Sequence, residues 1–253
     1  MRGNIELSLI LPAYNERASI GSTIDTAFEY LKARGIAGEI IVAADGDDGT
    51  RELVRSKCVG RSDLTAIGHE QRRGKGRAVR EAVALARGRF VGYADADNKV
   101  PFSEYDRVRP ALLEGFEAVI GSRALSESQV EQYQPWYRRI GGKGFHWFMQ
   151  AMVGLPGIHD SQCGFKFFQQ SVARELFRWQ RIDGYMFDVE ILALAHKFGY
   201  RIAEIPIRWR DDGDSRLRLV SGNIQNVRDI FAIRASLAQL QESRLPVGAA
   251  GRS

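Results

Sequence analysis

Residues 90–97 read FVGYADAD, an apolar run that ends directly in the carboxylates of Asp95 and Asp97. Side chains two positions apart on an extended segment point the same way, so both carboxylates can meet one cation at the carboxyl end of a strand. Open α/β sheets bind their ligands at that edge. An isolated acidic pair is more often a solvated loop or a helix cap, so the segments around it must decide.

The chemistry of this pair favours a hard cation. Carboxylate oxygens suit Mg²⁺ or Mn²⁺. A cation held by few protein carboxylates shares its remaining positions with substrate phosphates and water. Asp95 and Asp97 therefore predict a metal-bridged diphosphate.

The first 123 residues alternate between predicted strands and predicted helices. Apolar runs predict strands at residues 7–11, 39–44, 65–67, 90–94 and 118–122, and Pro12 should end the first of them. The segments between them predict helices at 20–31, at 50–58 after an Asp48 cap, at 74–86, and from residue 103 with a break at Pro110. Strands separated by helices predict an α/β fold with a mostly parallel, doubly wound sheet covered on both faces.

Composition sets wide limits on the class of protein. At 253 residues and 44% hydrophobic, the chain can bury a full core. Cys58 and Cys163 give neither a disulfide framework nor a zinc spacing, which favours a reducing compartment. The amino terminus lacks a long apolar core, and no run approaches the roughly 18 apolar residues that span a bilayer. We therefore expect a cytoplasmic protein, soluble or peripheral, whose net charge of +5 suits nucleotides, nucleic acid or an anionic membrane.

Three loops near the predicted ligand-binding edge have unusual compositions. They read PAYNE at 12–16, DGDDG at 45–49 and RRGKGR at 72–77. Glycines beside cationic side chains at a helix start bring backbone N–H groups and positive charge to a phosphate. The 72–77 loop completes neither a P-loop nor a dinucleotide fingerprint, and alone it is more typical of a solvated loop.

The order of these motifs resembles that of the inverting nucleotide-sugar glycosyltransferases of family 2, which have the GT-A fold. The resemblance is carried by residues 9–16, the acidic turn near Asp45, the glycine turn at 74–76, and the pair at Asp95 and Asp97. Later motifs look like the dolichyl-phosphate glucose synthase branch, close kin of the polyprenyl-phosphate mannose synthases. They lie at residues 121–123, 160–166, 187–190 and 215–216.

The resemblance implies a role for each matching residue. Asp95 and Asp97 are implied to hold Mg²⁺ or Mn²⁺ against the diphosphate, and Arg216 with Ser215 to meet the leaving group. Arg123 is implied to meet an anionic acceptor. The residues implied to bind the nucleotide-sugar donor are Pro12, Ala13, Tyr14, Glu16, Asp45, Lys75, Asp95, Ala96, Asp97, Ser215 and Arg216.

Two positions depart from the family pattern. The acidic turn at Asp45 is one residue shorter than usual, which leaves the contacts to the base open. Lys99 stands where mannose synthases often carry a metal-binding glutamine. Because an ammonium group cannot ligate a cation, we expect a more loosely held metal.

The reaction at the anomeric carbon decides whether a base is needed. Charge develops on the departing nucleoside diphosphate, and a metal with fixed cations stabilises it. A phosphate acceptor is already ionised and needs no general base, whereas a hydroxyl acceptor needs one. Asp160 and Asp188 are the candidate bases, and each is equally well explained as a helix cap or a hydrogen-bond partner. Asp188 stands where it can cap a helix over 189–198.

Beyond the predicted sheet, two segments can contact other partners. Residues 135–153 interleave aromatic and basic side chains, a pattern typical of an interfacial element or of a core helix. A long amphipathic helix near the carboxyl end can cover the sheet, form an oligomer or lie on an anionic membrane surface. We expect one GT-A domain over 1–240, with a nucleotide-sugar-binding half at 1–123 and an acceptor-binding half at 124–240, before a disordered tail at 241–253.

Three functions fit this sequence. The first is a metal-dependent inverting hexosyltransferase that moves glucose from UDP-glucose to a polyprenyl phosphate, at the cytoplasmic face of a membrane. The second has the same donor chemistry and a soluble hydroxyl acceptor. The third is a non-catalytic nucleotide-sugar-binding protein, which the presence of both aspartates, Arg123 and Arg216 disfavours. Nucleic acid is not an expected partner, because the basic residues are interspersed with acids and no recognition motif is present.

Overall fold

A computed structural model of the chain describes residues 5–131, 149, 152–210 and 221–243. Its main sheet is built from β1 (Leu7–Tyr14), β2 (Gly38–Asp45), β3 (Leu64–Ile67), β4 (Phe90–Ala94), β5 (Ala118–Ser122), β7 (Phe165–Gln169) and β8 (Ile202–Pro206). The strand order is β3-β2-β1-β4-β7-β5-β8, and of these strands β7 alone runs antiparallel to its neighbours. A small parallel sheet pairs β6 (Gln129–Glu131) with β9 (Arg208–Arg210).

Helices cover both faces of the main sheet. They are α1 (Ile20–Ala33), α2 (Thr50–Cys58), α3 (Lys75–Leu85), α4 (Tyr105–Leu113), α5 (Gln170–Trp179), α6 (Phe187–Lys197) and α7 (Ser221–Ser243). One hydrophobic cluster lies against α3, α5, α6 and α7, and a second against α1, α2 and α4. Alternate residues of β1 point to opposite clusters, since Ile10 belongs to the first and Leu9 and Leu11 to the second. The predicted doubly wound, mostly parallel sheet is confirmed.

β1 continues through Pro12 to Tyr14, so the predicted stop at Pro12 is wrong. Its pairing with β4 ends at Ile10, whereas its pairing with β2 continues until Tyr14 faces Asp45. Beyond Ile10 the strand has a neighbour on one side only, and a residue without an N–H group is tolerated there. As a result Tyr14 and Asp45 reach the carboxyl edge of the sheet together.

The predicted helix break at Pro110 is also wrong. A 3-10 turn over Phe102–Glu104 leads into α4, which passes through Pro110 to Leu113. Tyr105, Val108 and Leu112 are buried on one face of α4. Their packing offsets the backbone hydrogen bond that a proline cannot donate.

The predicted range of α2, 50–58, is confirmed, but its N-cap residue differs from the prediction. Gly49, with a φ of 87°, occupies the N-cap position that was predicted for Asp48. The Asp48 carboxylate instead accepts the N–H of Thr50 at 2.9 Å and that of Arg17 at 3.1 Å. Asp48 therefore ties the loops after β1 and β2 to each other.

The antiparallel strand β7 was not predicted from sequence, and it brings a second group of residues to the ligand-binding edge. It lies between β4 and β5, with Ala94 paired to Phe165. Gly92 makes room for it, because a Cβ at that position would lie 2.0 Å from Cδ1 of Phe167. The segment just before β7 thus passes beside Asp95, whose N–H donates to the carbonyl of Gly164 at 3.1 Å.

α7 covers one face of the core. Ile230, Ile233 and Leu240 are buried in the same cluster as α3, α5 and α6, while Ile224 and Phe231 are more than half exposed. Among the three predicted roles of this helix, covering the core is confirmed. Its role in an oligomer stays a prediction.

Parts of the remaining predictions lie outside the described residues. Of the segment 135–153, the structure describes Met149, Met152 and Val153. Met149 is buried in the hydrophobic cluster that lies against α6, and Met152 and Val153 are partly buried against the same cluster. The disordered tail was predicted to begin at residue 241, whereas α7 extends to Ser243. Within the described part of the chain, no helix is both long and apolar enough to cross a bilayer.

Candidate active site

The acidic pair lies at the carboxyl edge of β4, between two lysines. Asp95 and Asp97 are each 42% exposed. The ammonium group of Lys75 lies 2.5 Å from Oδ1 of Asp95, and that of Lys99 lies 3.7 Å from Oδ2 of Asp97. The residue between the two acids, Ala96, is buried, and its carbonyl accepts the Thr23 hydroxyl at 2.9 Å.

The charges in this group favour a bound cation. Burial and the negative charge of Asp95 raise the pKa of Asp97. Both lysines lie where they partly neutralise the pair, as a bound cation would. No group of three His, Cys, Asp or Glu side chains in the described ranges forms a metal site by itself. A divalent cation here would therefore take two carboxylates from the protein and its other ligands from substrate and water.

Lys75 is delivered by the glycine turn at the start of α3. A Cβ at Gly74 would lie 2.2 Å from the carbonyl oxygen of Asp183, and one at Gly76 would lie 2.5 Å from Cβ of Phe187. That same carbonyl accepts the N–H of Gly76 at 2.8 Å. The glycines therefore serve close packing, and the expectation that their N–H groups face a phosphate is wrong for Gly76.

The side chain of Lys75 supplies the positive charge at this turn. Burial disfavours its ammonium form, but the charges of Asp95 and Asp188 outweigh that cost and raise the pKa of Lys75. Lys75 is therefore protonated throughout the physiological range. It is available to an anion that enters beside Asp95.

The residues predicted to bind the nucleoside differ in accessibility. Tyr14 is 39% exposed, and the Arg72 guanidinium lies 4.5 Å from its ring centroid. Asp45 is 5% exposed, and its carboxylate accepts the N–H groups of His69 at 3.1 Å and Arg73 at 2.8 Å. Asp45 thus shapes the loop before α3, while the ring of Tyr14 is accessible to a ligand.

The other predicted donor residues surround Tyr14 along the chain. Pro12 and Glu16 are half-buried, and Ala13 is buried in the core beneath α1. The Glu16 N–H donates to the Thr50 hydroxyl at 2.9 Å, which links the loop after β1 to the start of α2. Ala13, like Ala96, can offer a ligand only its backbone.

Arg123, which follows β5, and Asp160 form an ion pair with two side-chain hydrogen bonds. The guanidinium donates from Nε to Oδ2 at 2.7 Å and from Nη2 to Oδ1 at 2.9 Å, and the Arg123 backbone N–H also donates to Oδ2. Burial alone would raise the pKa of Asp160, but the hydrogen bonds and charge of Arg123 hold it below the ordinary carboxyl value. Glu204 of β8 accepts the Asp160 N–H at 2.8 Å, which fixes the loop.

Asp188 is buried in a second hydrogen-bonded group, with Lys166 and Tyr93 as its partners. Its Oδ1 accepts the Lys166 ammonium at 2.6 Å and the Tyr93 hydroxyl at 2.6 Å. Lys166 is fully buried and also donates to the carbonyl of Cys163. The predicted helix-cap role is wrong, because Met186 occupies the N-cap position of α6 and makes Asp188 an internal residue. The alternative role, as a hydrogen-bond partner, is confirmed.

Two aromatic residues near the site were missed from sequence. Tyr185 is 41% exposed, and its hydroxyl accepts Arg72 NH2 at 2.9 Å, opposite Tyr14. The ring centroid of Trp209, on β9, lies 5.5 Å from Cζ of Arg123 and 5.9 Å from Nζ of Lys99. Nothing local in the sequence signals either position. Ser215 and Arg216 lie outside the described residues.

Solved structures that share this fold identify its class. Mannosyl-3-phosphoglycerate synthase from Rubrobacter xylanophilus matches with a TM-score of 0.68 at 18% identity, over 98% of this chain and 79% of that one. Glucosyl-3-phosphoglycerate synthase from Mycobacterium tuberculosis, in complex with Mn²⁺, UDP and phosphoglyceric acid, matches with a TM-score of 0.66 at 23% identity, over 93% and 78%. The fold is that of the GT-A glycosyltransferases.

Sequence comparison then identifies the family. The family model for glycosyl transferase family 2 matches residues 8–177, and the chain belongs to that family and is a glycosyltransferase. It is 36% identical to the dolichyl-phosphate beta-glucosyltransferase of Dictyostelium discoideum, over 91% of this chain and 74% of the relative. It is 30% identical to the Homo sapiens protein of the same name, over 90% and 75%.

Proposed function

We propose that this chain transfers glucose from UDP-glucose to a polyprenyl phosphate, with inversion and with Mg²⁺ or Mn²⁺ at Asp95 and Asp97. The names of the curated relatives support glucose, a lipid phosphate acceptor and a β-linked product. The observation that carries the acceptor class is the state of the two candidate bases. The Asp160 carboxylate already accepts hydrogen bonds from Arg123, and the Asp188 carboxylate already accepts them from Lys166 and Tyr93.

This observation favours an acceptor that needs no deprotonation. A general base must reach the proton that it removes and must be free to accept it. Asp160 and Asp188 are less than a tenth exposed, and each already accepts a strong cationic donor. A phosphate oxygen attacks without such help. A soluble hydroxyl acceptor is therefore less well supported.

On the donor side, we place the diphosphate next to Asp95 and Asp97, with the cation between them. Asp95 and Asp97 would hold the cation, which would stabilise charge on the leaving nucleoside diphosphate. Lys75 adds a fixed charge beside Asp95, and preorganised charge of this kind lowers a barrier by several kcal/mol. The uridine would lie near Tyr14, with Pro12, Ala13, Glu16 and the Asp45 loop around it.

On the acceptor side, Arg123 is the proposed first contact for the phosphate. Asp160 holds its guanidinium in one orientation and leaves its outer face toward Trp209. Residues 1–123 would supply most of the contacts to the donor and residues 124–240 most of the contacts to the acceptor, with Arg123 at the boundary between the two halves. A polyprenyl acceptor also implies that the protein works at a membrane surface, and we propose that the contact lies within 135–153, excluding Met149, Met152 and Val153, which pack in the core.

A donor-by-acceptor assay tests this function. Purified protein would be supplied with UDP-glucose or GDP-glucose, with Mn²⁺, Mg²⁺ or EDTA, and with or without polyprenyl phosphate. We expect UDP release and a β-glucosyl lipid only with UDP-glucose, a divalent cation and the lipid phosphate. Efficient transfer to a soluble alcohol, with none to polyprenyl phosphate, would overturn the proposed acceptor while leaving the fold and donor site standing.

A further inference from the structure

The acidic pair lies on a turn that follows β4. The pairing of β4 with β7 ends at Ala94, one residue before the pair. The N–H of Asn98 then donates to the carbonyl of Asp95 at 3.3 Å, which closes a turn over residues 95–98. Asp95 and Asp97 occupy the first and third positions of this turn. The direction of each carboxylate consequently depends on what holds the turn in place.

Helix α1 holds the centre of this turn. Ala96 is buried in the cluster against α1, α2 and α4, and its carbonyl accepts the hydroxyl of the buried Thr23 at 2.9 Å. The same hydroxyl lies 3.1 Å from the carbonyl of Ser19, one turn earlier in α1. A hydroxyl has one proton to donate, and the shorter of its two distances is to Ala96, 73 positions away. Thr23 therefore fixes the peptide that joins Ala96 to Asp97.

The segment before β7 holds the start of the turn. The carbonyl of Gly164 accepts the N–H of Asp95 at 3.1 Å, and Lys166 fixes the preceding residue by donating to the carbonyl of Cys163. A Cβ at Gly164 would lie 2.1 Å from Oδ2 and 2.4 Å from Cγ of Asp95. The backbone of Gly164 lies outside the left-handed region, so any L residue could adopt it. The carboxylate of Asp95 is therefore what excludes a side chain at this position.

We propose that Thr23 and Gly164 are positioning residues for the divalent cation. Thr23 binds the carbonyl of Ala96, Gly164 leaves room for the carboxylate of Asp95, and together they direct both acids of the turn toward one ion. The proposal rests on the proposed function, which places the cation there. Neither residue is among those that we expect to contact the nucleoside or the acceptor. Their substitution should therefore change only the part of donor binding that depends on the metal.

Two titrations of each protein isolate the contribution of the metal. UDP would be titrated by calorimetry in Mn²⁺ and in EDTA, and the ratio of the two Kd values measures what the cation adds. Thr23→Val removes the hydroxyl and keeps the shape of the side chain. It should lower this ratio about 3- to 10-fold, the effect of one hydrogen bond, with the Kd in EDTA unchanged. Thr23→Ser should restore most of the ratio, and Thr26→Val, at an exposed position of α1, is the matched control.

A larger effect is expected at the glycine. In Gly164→Ala the added methyl group takes the space of the Asp95 carboxylate, which must rotate away from the cation. The ratio should fall about 10- to 100-fold, the usual effect of disturbing a residue that orients a metal ligand. Gly21→Ala is the control, because a Cβ there would lie 3.6 Å from Cε of Lys57, an ordinary contact. In transfer assays, excess Mn²⁺ should restore part of the kcat of Thr23→Val.

The outcomes separate this proposal from the proposed function. A wild-type ratio in folded Thr23→Val and Gly164→Ala, or an equal loss of UDP affinity in Mn²⁺ and in EDTA, would overturn the positioning roles. If Gly164→Ala does not fold, as judged by its melting temperature, the Thr23 variants decide. A wild type whose UDP affinity ignores Mn²⁺ would overturn the proposed metal site itself, and the positioning roles with it. A wild type that responds to Mn²⁺ but makes no glucosyl lipid would overturn the acceptor alone.

Discussion

Two pairs of aspartates meet at one edge of this sheet, and they are in opposite states. Asp95 and Asp97 are each 42% exposed, and only part of their charge is neutralised by lysines. The side chains of Asp160 and Asp188 are 9% and 4% exposed, and each accepts a hydrogen bond from a cationic side chain. The first pair can bind a ligand, whereas the second holds other side chains in place.

The difference shows that residue type does not assign a chemical role. All four aspartates belong to motifs that resemble those of the family, and all four were candidate site residues. What separates them is exposure, since the side chains of Asp95 and Asp97 are open to a ligand whereas those of Asp160 and Asp188 are buried in hydrogen-bonded ion pairs. Variants at each pair should therefore produce different defects, one in turnover and the other in stability.

The largest expected effect is on turnover at the open pair. Asp97→Asn should lower kcat by about a thousandfold, because one metal ligand and its share of the electrostatic stabilisation are lost. Steady-state UDP release gives the rate, and circular dichroism should show an unchanged fold. Full activity of the wild type in EDTA would remove the metal from the mechanism.

The next effect is on stability at the closed pair. Lys166→Met leaves Asp188 buried without a cation and should lower the free energy of unfolding by about 3–5 kcal/mol. Urea unfolding measures this loss. The double variant Lys166→Met/Asp188→Asn should recover part of it, because the uncompensated charge is gone. A Lys166→Met protein as stable as the wild type would show that the buried ion pair does not stabilise the fold.

The pH dependence of stability and of kcat/KM distinguishes a structural role of Asp160 from a role as general base. Asp160→Asn should cost about 2 kcal/mol at neutral pH through lost charge-assisted hydrogen bonds to Arg123. Because Arg123 lowers the pKa of Asp160, the pair's contribution is fully present above the ordinary carboxyl pKa of 3.8 and is lost as pH falls through the lowered value. Acid unfolding of both proteins checks the sign. An acid limb in kcat/KM between pH 5 and 7 that disappears in Asp160→Asn would instead identify a base.

The smallest expected effect is a gain in stability at the open pair. The pKa of Asp97 is raised, so its ionised form is disfavoured in the folded protein, and this cost is present above that pKa and vanishes in acid. Asp97→Asn should thus raise the free energy of unfolding at pH 7 by less than about 1 kcal/mol, with a small rise in melting temperature, since water screens the half-exposed carboxylates. The gain should disappear when Mn²⁺ and UDP stabilise the wild type. A lower melting temperature for the metal-free variant at pH 7 would mean that the two open carboxylates do not repel each other.

Local sequence was enough to predict the five strands β1 to β5, but β8, which pairs parallel with β5, was not predicted. Each strand-helix unit up to β5 has its own periodicity, and β1, β2 and β3 pair with each other in chain order. β7 was missed because its partners, β4 and β5, lie far away in sequence and because Lys166 interrupts an apolar run. A buried charge at the centre of a sheet has no local signature.

The same contrast holds for the site. Asp95 and Asp97 are adjacent to the strand that presents them, and Lys75 lies in a recognisable glycine turn. The roles of Asp160 and Asp188 depend on partners 37 and 22 positions away, which only the tertiary fold brings into contact. Trp209 and Tyr185 reach the site in the same way, through strand and helix packing.

A matched pair of acceptors tests the central claim that the closed aspartates leave the enzyme without a base. Farnesyl phosphate and farnesol differ only in the phosphate group, and each would be offered with UDP-glucose and Mn²⁺. The account predicts a glucosyl product from farnesyl phosphate and none from farnesol. Comparable transfer to farnesol, abolished in Asp160→Asn or Asp188→Asn proteins that remain folded, would contradict it.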